Sequence, residues 1–165
     1  MAERLFAGLT YEQVVQRYTQ TVGSVCVMRL QNWADAEDCF QNVFLKLYCK
    51  APEFRDGEHL KAWLIRVALN ECKNYIRDNR RTVPLDTADE PVVFPETDGD
   101  LSWALMKTPK KYRDALYLYY CERYKVAEIA KLLGVRENTV KTRLHKGREI
   151  LRSIYGVMNR ERAAL

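Results

Sequence analysis

The stretch Lys125–Arg152, KVAEIAKLLGVRENTVKTRLHKGREILR, decides the fold, because its residue types prescribe both a shape and a target. Val126, Ile129, Ala130 and Leu133 recur at helical spacing, and Val140, Leu144, the small Gly147 and Leu151 repeat it further on. The pattern predicts two amphipathic helices. Gly134, able to take a positive φ, ends the first, and Val135 drops into the core, which makes the short corner of a helix-turn-helix. The second helix carries Lys141, Arg143, Lys146 and Arg148 beside Asn138, Thr139, Thr142 and His145. Cations suit phosphates and hydrogen-bonding side chains suit base edges, so the face fits a DNA major groove. A solvated helix on any helical protein also has a charged side; here the fit of the whole pattern to helix-turn-helix geometry favours DNA.

Immediately upstream, Thr108–Pro109 reads as a helix start, with Thr as N-cap and Pro in the first turn. Tyr112, Ala115, Leu116, Leu118, Tyr119 and Tyr120 make that helix apolar nearly all round, so it is expected to lie buried against the two helices of the motif. The charged tail from Gly156 to Leu165 is expected to fray.

Charge divides the chain of 165 residues. Residues 1–81 hold 12 Lys and Arg against 10 Asp and Glu, residues 82–100 hold none against 6, and residues 101–165 hold 15 against 6. The balances of +2, −6 and +9 place the electrostatic footprint of nucleic-acid binding in the last part. Thr82–Asp100 has three prolines and no helical periodicity, and reads as an extended acidic linker. The expected architecture is all-α: a helical domain over 1–81, the flexible acidic linker over 82–100 and a helix-turn-helix domain over 101–165.

In the front domain, Thr10 is a plausible N-cap for a helix whose apolar positions are Tyr11, Val14, Val15, Tyr18, Val22, Val25 and Cys26. A second helix opens on Asp35, Glu37 and Asp38, acids that suit a helix N-terminus, and continues through Phe40, Val43, Phe44, Leu47 and Tyr48. After APEFRDGE, which leaves Phe54 and Arg55 in a loop, a third helix has the apolar stripe Leu60, Trp63, Leu64, Val67, Ala68, Cys72, Tyr75 and Ile76. Its opposite side, Arg66, Asn70, Lys73, Asn74 and Arg77, is either a solvated face or a second nucleic-acid surface.

Five cysteines, odd in number and never in a CxxC pair, read as reduced core thiols. Two distant histidines, His59 and His145, give no basis for a metal site, and no phosphate loop or nucleophile motif is present, so no cofactor and no catalysis are expected. No apolar run approaches the roughly 20 residues that span a bilayer. A cytoplasmic protein without membrane insertion is expected.

Three stretches in order, DAEDCFQNVFLKLY (Asp35–Tyr48), LKAWLIRVALNECKNYIRDNRR (Leu60–Arg81) and EIAKLLGVRENTVKTRLHKGREIL (Glu128–Leu151), resemble the ECF (extracytoplasmic-function) sigma factors, small sigma subunits of bacterial RNA polymerase. The resemblance covers roughly residues 10–81 and 107–155. It implies that Asp35, Glu37, Asp38, Gln41 and Phe44 dock on the β′ clamp helices of core RNA polymerase, with the C-terminal domain at the β flap. It implies that Phe54, Arg55, Trp63, Arg66, Asn70, Lys73, Asn74 and Arg77 open and hold the promoter −10 element. Lys141, Thr142, His145 and Lys146, with Asn138 and Thr139 beside them, would read −35 bases, while Arg136, Arg143 and Arg148 meet phosphates. The acidic linker would run near the RNA exit channel, and an anti-sigma factor would be a typical partner. Four positions depart from the family pattern: Lys125 and Arg136 stand where Ser or Thr caps are common, Tyr119 where a phosphate-contacting Arg is common, and Arg123 where Gly is usual. The rival readings are a stand-alone helix-turn-helix regulator, which would lack the docking helix, and a DNA-processing enzyme, which would need metal-binding carboxylates.

Overall fold

The computed structural model describes residues 2–79 and 99–163, and the chain divides into two compact units, Met1–Thr87 and Ala88–Leu165. The described residues are helical apart from loops and one isolated bridge between Phe6 and Leu9. The expected linker over 82–98 lies outside the described residues. Its last two positions do not belong to a linker, because Gly99 and Asp100 begin a helix; element ends commonly differ from expectation by a residue or two.

The first unit is a three-helix packing of α1 (Tyr11–Leu30), α2 (Trp33–Lys50) and α3 (Gly57–Asp78). Each start has a local cause. Thr10 accepts from the Gln13 amide while the Gln13 side chain accepts from the Thr10 amide, a complete capping box. Asn32 caps α2 through the Asp35 amide, and Asp56 caps α3 through the His59 amide at 2.8 Å. The core between the helices takes Val14, Val22, Val25 and Met28 from α1, Val43 and Leu47 from α2, and Leu60, Leu64, Ile65 and Ala68 from α3. Burying each of the larger of these contributes about 1.5–3 kcal/mol.

Two expectations about this core are corrected. Tyr48 is 65% exposed, and the α3 stripe runs through Ile65 and Leu69, leaving Trp63, Tyr75 and Ile76 at its half-exposed margin. Three of the five thiols, Cys26, Cys39 and Cys72, come from three different helices and meet in this core. The hydrogen bond with Cys72, followed by burial, pushes the Cys39 thiol far above its ordinary range, and Cys72 is raised chiefly by its bond with Cys26. Protonated thiols are poor nucleophiles, so Cys39 and Cys72 serve as packing groups, and Cys26 is fully buried beside them.

The second unit holds α4 (Gly99–Lys107), α5 (Lys110–Leu116) with a π-helical extension Tyr117–Cys121, α6 (Val126–Leu133) and α7 (Glu137–Ala163). Thr108 does not cap α5, as its spacing suggested. Its buried hydroxyl donates to the Ala104 carbonyl at 2.8 Å, closing α4, while its own carbonyl accepts from the buried Arg113 guanidinium at 3.0 and 3.2 Å. The helix α5 therefore begins one residue later than expected, after Pro109, with no side-chain cap. It is also not apolar all round: Tyr119 is half-buried and Tyr120 is 46% exposed, because the wider π turn carries them off the buried face formed by Leu116, Tyr117 and Leu118. The tail expected to fray continues as helix to Ala163; Arg, Glu, Met and Ala are all good helix formers.

Gly134 ends α6 at φ +67°, and the Val135 amide reaches back to the Ala130 carbonyl at 3.0 Å, a Schellman turn that sets the corner before α7. Val135 itself is only half-buried. Arg123 sits at φ +59°, a conformation that favours glycine. Gly147 faces α5 so closely that a Cβ there would lie 2.9 Å from Leu116 Cδ1 and 3.0 Å from Leu116 Cγ. Leu116 is fully buried and has little room to give way. Gly147→Ala should therefore lower stability by about 1–3 kcal/mol through overpacking, against a helix-propensity gain of about 1 kcal/mol. Thermal melts check this, and adding Leu116→Val to the variant should recover part of the loss.

Candidate nucleic-acid interface

The exposed side of α3 assembles most of the residues assigned to the −10 element. Arg66, Asn70, Lys73, Asn74 and Arg77 are all exposed and follow one another at helical spacing, and from Trp63 to Arg77 the stripe runs about 21 Å along the axis. At its N-terminal end Phe54 packs edge-on to Trp63, centroids 5.6 Å apart, and to His59 at 5.3 Å. His59, which the sequence reading did not place in the site, belongs to this aromatic cluster. Its Nδ1 accepts the Arg55 amide at 3.2 Å, which holds the loop carrying Phe54 and Arg55 over the start of α3. The signal for it was the spacing His59–Trp63, one turn apart. Arg66 and Lys73 have no ion-pair partner among the described residues, whereas Arg77 pairs with the adjacent Asp78 at 3.2 Å. The face can stack a base at one end and meet backbone phosphates along the rest.

On α2, Glu37, Asp38 and Gln41, three of the five residues assigned to polymerase docking, are exposed on one face. Two of the five residues assigned there are corrected. Phe44 is 5% exposed and packs against Phe40, centroids 4.9 Å apart, because it falls on the stripe that faces α1. Asp35 is half-buried and accepts the Tyr75 hydroxyl of α3 at 2.5 Å, so its carboxylate ties two helices together. The same outer face instead continues through Leu45, 59% exposed, and Tyr48. Leu45 is out of phase with the buried positions Ala36, Cys39, Val43 and Leu47, which is the signal that could have found it.

In the second unit, the outer face of α7 presents Arg136, Asn138, Lys141, Thr142, His145 and Lys146 as exposed side chains, with Thr139, Arg143 and Arg148 half-buried at its margins. Lys141, Arg143 and Lys146 have no acidic partner among the described residues. His145 approaches Glu149 at 3.4 Å, a surface pair of small worth that forms only when the imidazole is protonated. Thr142 donates its hydroxyl to the Asn138 carbonyl at 2.9 Å and so offers its oxygen to an outside donor. Arg148 donates to the Tyr120 hydroxyl at 2.6 Å and lies over the rings of Tyr119 and Tyr120, whose centroids are 4.9 Å apart. The aromatic pair thus fixes the Arg148 guanidinium at the margin of the α7 face.

Both capping positions of the motif lack the usual hydroxyl. At α6, Glu128 supplies half a capping box by accepting the Lys125 amide at 3.0 Å, but an ammonium cannot return the bond. At α7 the Arg136 carbonyl accepts the first helical bond from Val140, and the guanidinium has no acceptor to offer the free amides.

Residues 14–82 match the Sigma-70 region 2 family model and residues 104–151 match Sigma-70, region 4. This chain belongs to the ECF sigma-70 family. Relatives include the ECF RNA polymerase sigma factor SigW of Bacillus subtilis, 28% identical over 162 residues with 86% of this chain and 87% of that protein covered. The ECF RNA polymerase sigma factor SigM of Mycobacterium tuberculosis is 28% identical over 155 residues, covering 90% and 79%. The fold is shared with the sigma factor RpoE of Bartonella quintana, solved in complex with the anti-sigma factor NepR: TM-score 0.71, 22% identity, 89% of this chain and 97% of that one. The ECF sigma factor is a transcription-initiation protein of a family that is not enzymatic, and the stand-alone regulator reading is not favoured. Among the described residues, no helix is long and apolar enough to cross a membrane.

Two tests follow from this geometry. The hydroxyl bond to Asp35, the leading cause, raises the Tyr75 phenol from its ordinary 10.0 to about 12. A raised acid stabilises the folded state fully below the unfolded value, and that contribution disappears as pH climbs from 10 through 12. Tyr75→Phe should remove this part of the alkaline stability loss, read from denaturation at stepped pH; an unchanged profile would mean the bond contributes nothing. Arg136→Ser should stabilise the free protein by about 0.5–2 kcal/mol by restoring a cap. The gain should shrink when promoter DNA is bound, since a phosphate then serves the same amides. Equal stabilisation in paired thermal melts would remove that second expectation.

Proposed function

We propose that this ECF sigma factor binds core RNA polymerase through the outer face of α2 and directs it to a promoter read at two places. Glu37, Asp38 and Gln41 would meet the β′ clamp helices, with Asp35 holding α2 against α3 and the second unit resting at the β flap. Leu45 and Tyr48 add apolar area to the docking face. On α3, the cluster of Phe54 and Trp63 would receive an unstacked base of the −10 element. Asn70 and Asn74 would meet its polar edge, while Arg55, Arg66, Lys73 and Arg77 follow the strand. Unstacking a base costs a few kcal/mol, and aromatic stacking returns about 1–3 kcal/mol per base, so a platform of this kind makes opening feasible. The α7 face would read the −35 element, Lys141, Thr142, His145 and Lys146 at bases beside Asn138 and Thr139, and Arg136, Arg143 and Arg148 at phosphates.

The observation that carries the proposal is the α3 stripe of exposed cations and asparagines ending in an aromatic cluster, in the same chain as a helix-turn-helix. A repressor would have no use for the first of these. The acidic stretch over 82–98 would run near the RNA exit channel. The polymerase performs the chemistry; the sigma factor contributes binding and positioning. An anti-sigma factor is the natural regulatory partner, as in the RpoE and NepR complex, and the working compartment is the cytoplasm.

Run-off transcription from a promoter should require both core enzyme and this protein. Asp38→Arg sets like charges against the partner, a cost of several kcal/mol, and should weaken core binding about 10-fold or more while the C-terminal unit stays folded. Native-gel or anisotropy titration with purified core polymerase measures this. Normal affinity in the variant would overturn the docking assignment.

A further inference from the structure

A groove of about 370 Å³ lies beside the start of α7, lined by Lys111 and Tyr112 of α5 and by Asn138, Thr139, Thr142 and Arg143 of α7. Its lining contains two cations from two different helices and no carboxylate. The Lys111 ammonium lies 5.0 Å from the centre of the Tyr112 ring, and among the described residues neither it nor Arg143 pairs with an acid. Among the described residues the hydroxyls of Tyr112 and Thr139 donate to nothing, while Thr142 has spent its proton on the Asn138 carbonyl. The groove therefore offers uncommitted donors from five side chains, the Asn138 amide included. An occupant rich in acceptors and negatively charged satisfies all of them at once; the edge of a base, with donors and acceptors alternating, does not.

We infer that Lys111, Tyr112 and Arg143 form a seat for one phosphodiester of the DNA backbone next to the −35 reading face. The inference rests on the promoter-binding function proposed above. DNA backbone is favoured over a free anion because Asn138 and Thr142 line the groove and also belong to the exposed base-reading face, so a duplex lying on that face runs its backbone past the opening. Volume is adequate, since sites that hold small organic groups begin at about 300 Å³. The seat extends the interface onto α5, a helix outside the two that make the helix-turn-helix, and fixes the register of α7 without reading sequence.

The test uses holoenzyme assembled from core polymerase and the full chain, with binding to a promoter fragment measured across a series of salt concentrations. Lys111 is exposed and remote from the core, so Lys111→Ala should melt like the parent protein. It should lower the slope of log K against log salt by about 0.9, the loss of one phosphate contact, and weaken parent and −35-substituted promoters by the same factor. Tyr112→Phe should give a smaller loss of the same uniform kind. Replacing single backbone phosphates by neutral methylphosphonates should reveal one position at which the parent and Lys111→Ala proteins bind alike. The inference is overturned if Lys111→Ala leaves slope and affinity unchanged, if its effect depends on base identity, or if no single phosphate removes the difference. Should the parent holoenzyme itself show no dependence on −35 sequence, the promoter-binding proposal fails instead, and the two failures are separable.

Discussion

The contact of Gly147 with Leu116 sets the rotation of α7 about its own axis. With no side chain at 147, α7 can approach α5 closely enough for Val140, Leu144 and Leu151 to be buried on the same side. A helix repeats every 3.6 residues, so once that side is fixed the other is fixed too: Lys141, Thr142, His145 and Lys146 have nowhere to point but outward. The same constraint works in the first unit, where Leu60, Leu64, Ala68 and Cys72 hold α3 from within and thereby turn Arg66, Asn70, Lys73 and Asn74 to solvent. The functional faces are the complements of the packed ones.

Charge pairing divides along the same lines. Where helices of the first unit meet, ionic and polar groups are satisfied internally: Lys46 with Glu71 between α2 and α3, and Tyr75 with Asp35. On the outer faces of α3 and α7 several cations stand without acids among the described residues, and an external anion relieves their mutual repulsion. Such faces bind polyanions through counterion release, so affinity falls steeply with salt. Arg148 is the intermediate case. Tyr119 and Tyr120 hold its guanidinium by cation-π contact and one hydrogen bond, which orders the side chain without neutralising it.

Much of this was legible in the sequence because amphipathic helices advertise their periodicity. The helix-turn-helix corner at Gly134, the Thr10 cap and the α3 polar stripe all follow from spacing and residue type. What escaped detection depended on tertiary direction. Leu45 was legible from its phase and was passed over, whereas Tyr48 and Phe44 both fit an apolar stripe, and the packing of α2 against α1 and α3 shows that Tyr48 faces outward while Phe44 faces in. Asp35 looked like its neighbours Glu37 and Asp38, yet sits where Tyr75 can reach it. Thr108 had the chemistry of a cap, but its hydroxyl was taken by the preceding helix. The π turn at Tyr117–Cys121, which moves Tyr120 to the surface, has no periodic signature to read. Lys111 was invisible as a site residue because its relation to Arg143 exists only once α5 and α7 are packed.

The link between Asp35 and Tyr75 bears on how the two surfaces of the first unit act together. The proposed docking face belongs to α2 and the proposed melting face to α3, and adjacent helices can slide or rock by an ångström or two at modest cost when only apolar contacts join them. Directional bonds at two points along the α2–α3 seam, Asp35 to Tyr75 and Lys46 to Glu71, oppose that movement, because both depend on distance and angle. Tyr75 is also the neighbour of Asn74 in the stripe. A rigid seam would deliver grip on the polymerase at the proposed α2 face to DNA at the proposed α3 face as position, leaving stacking energy for opening the duplex and little of it spent on ordering the protein.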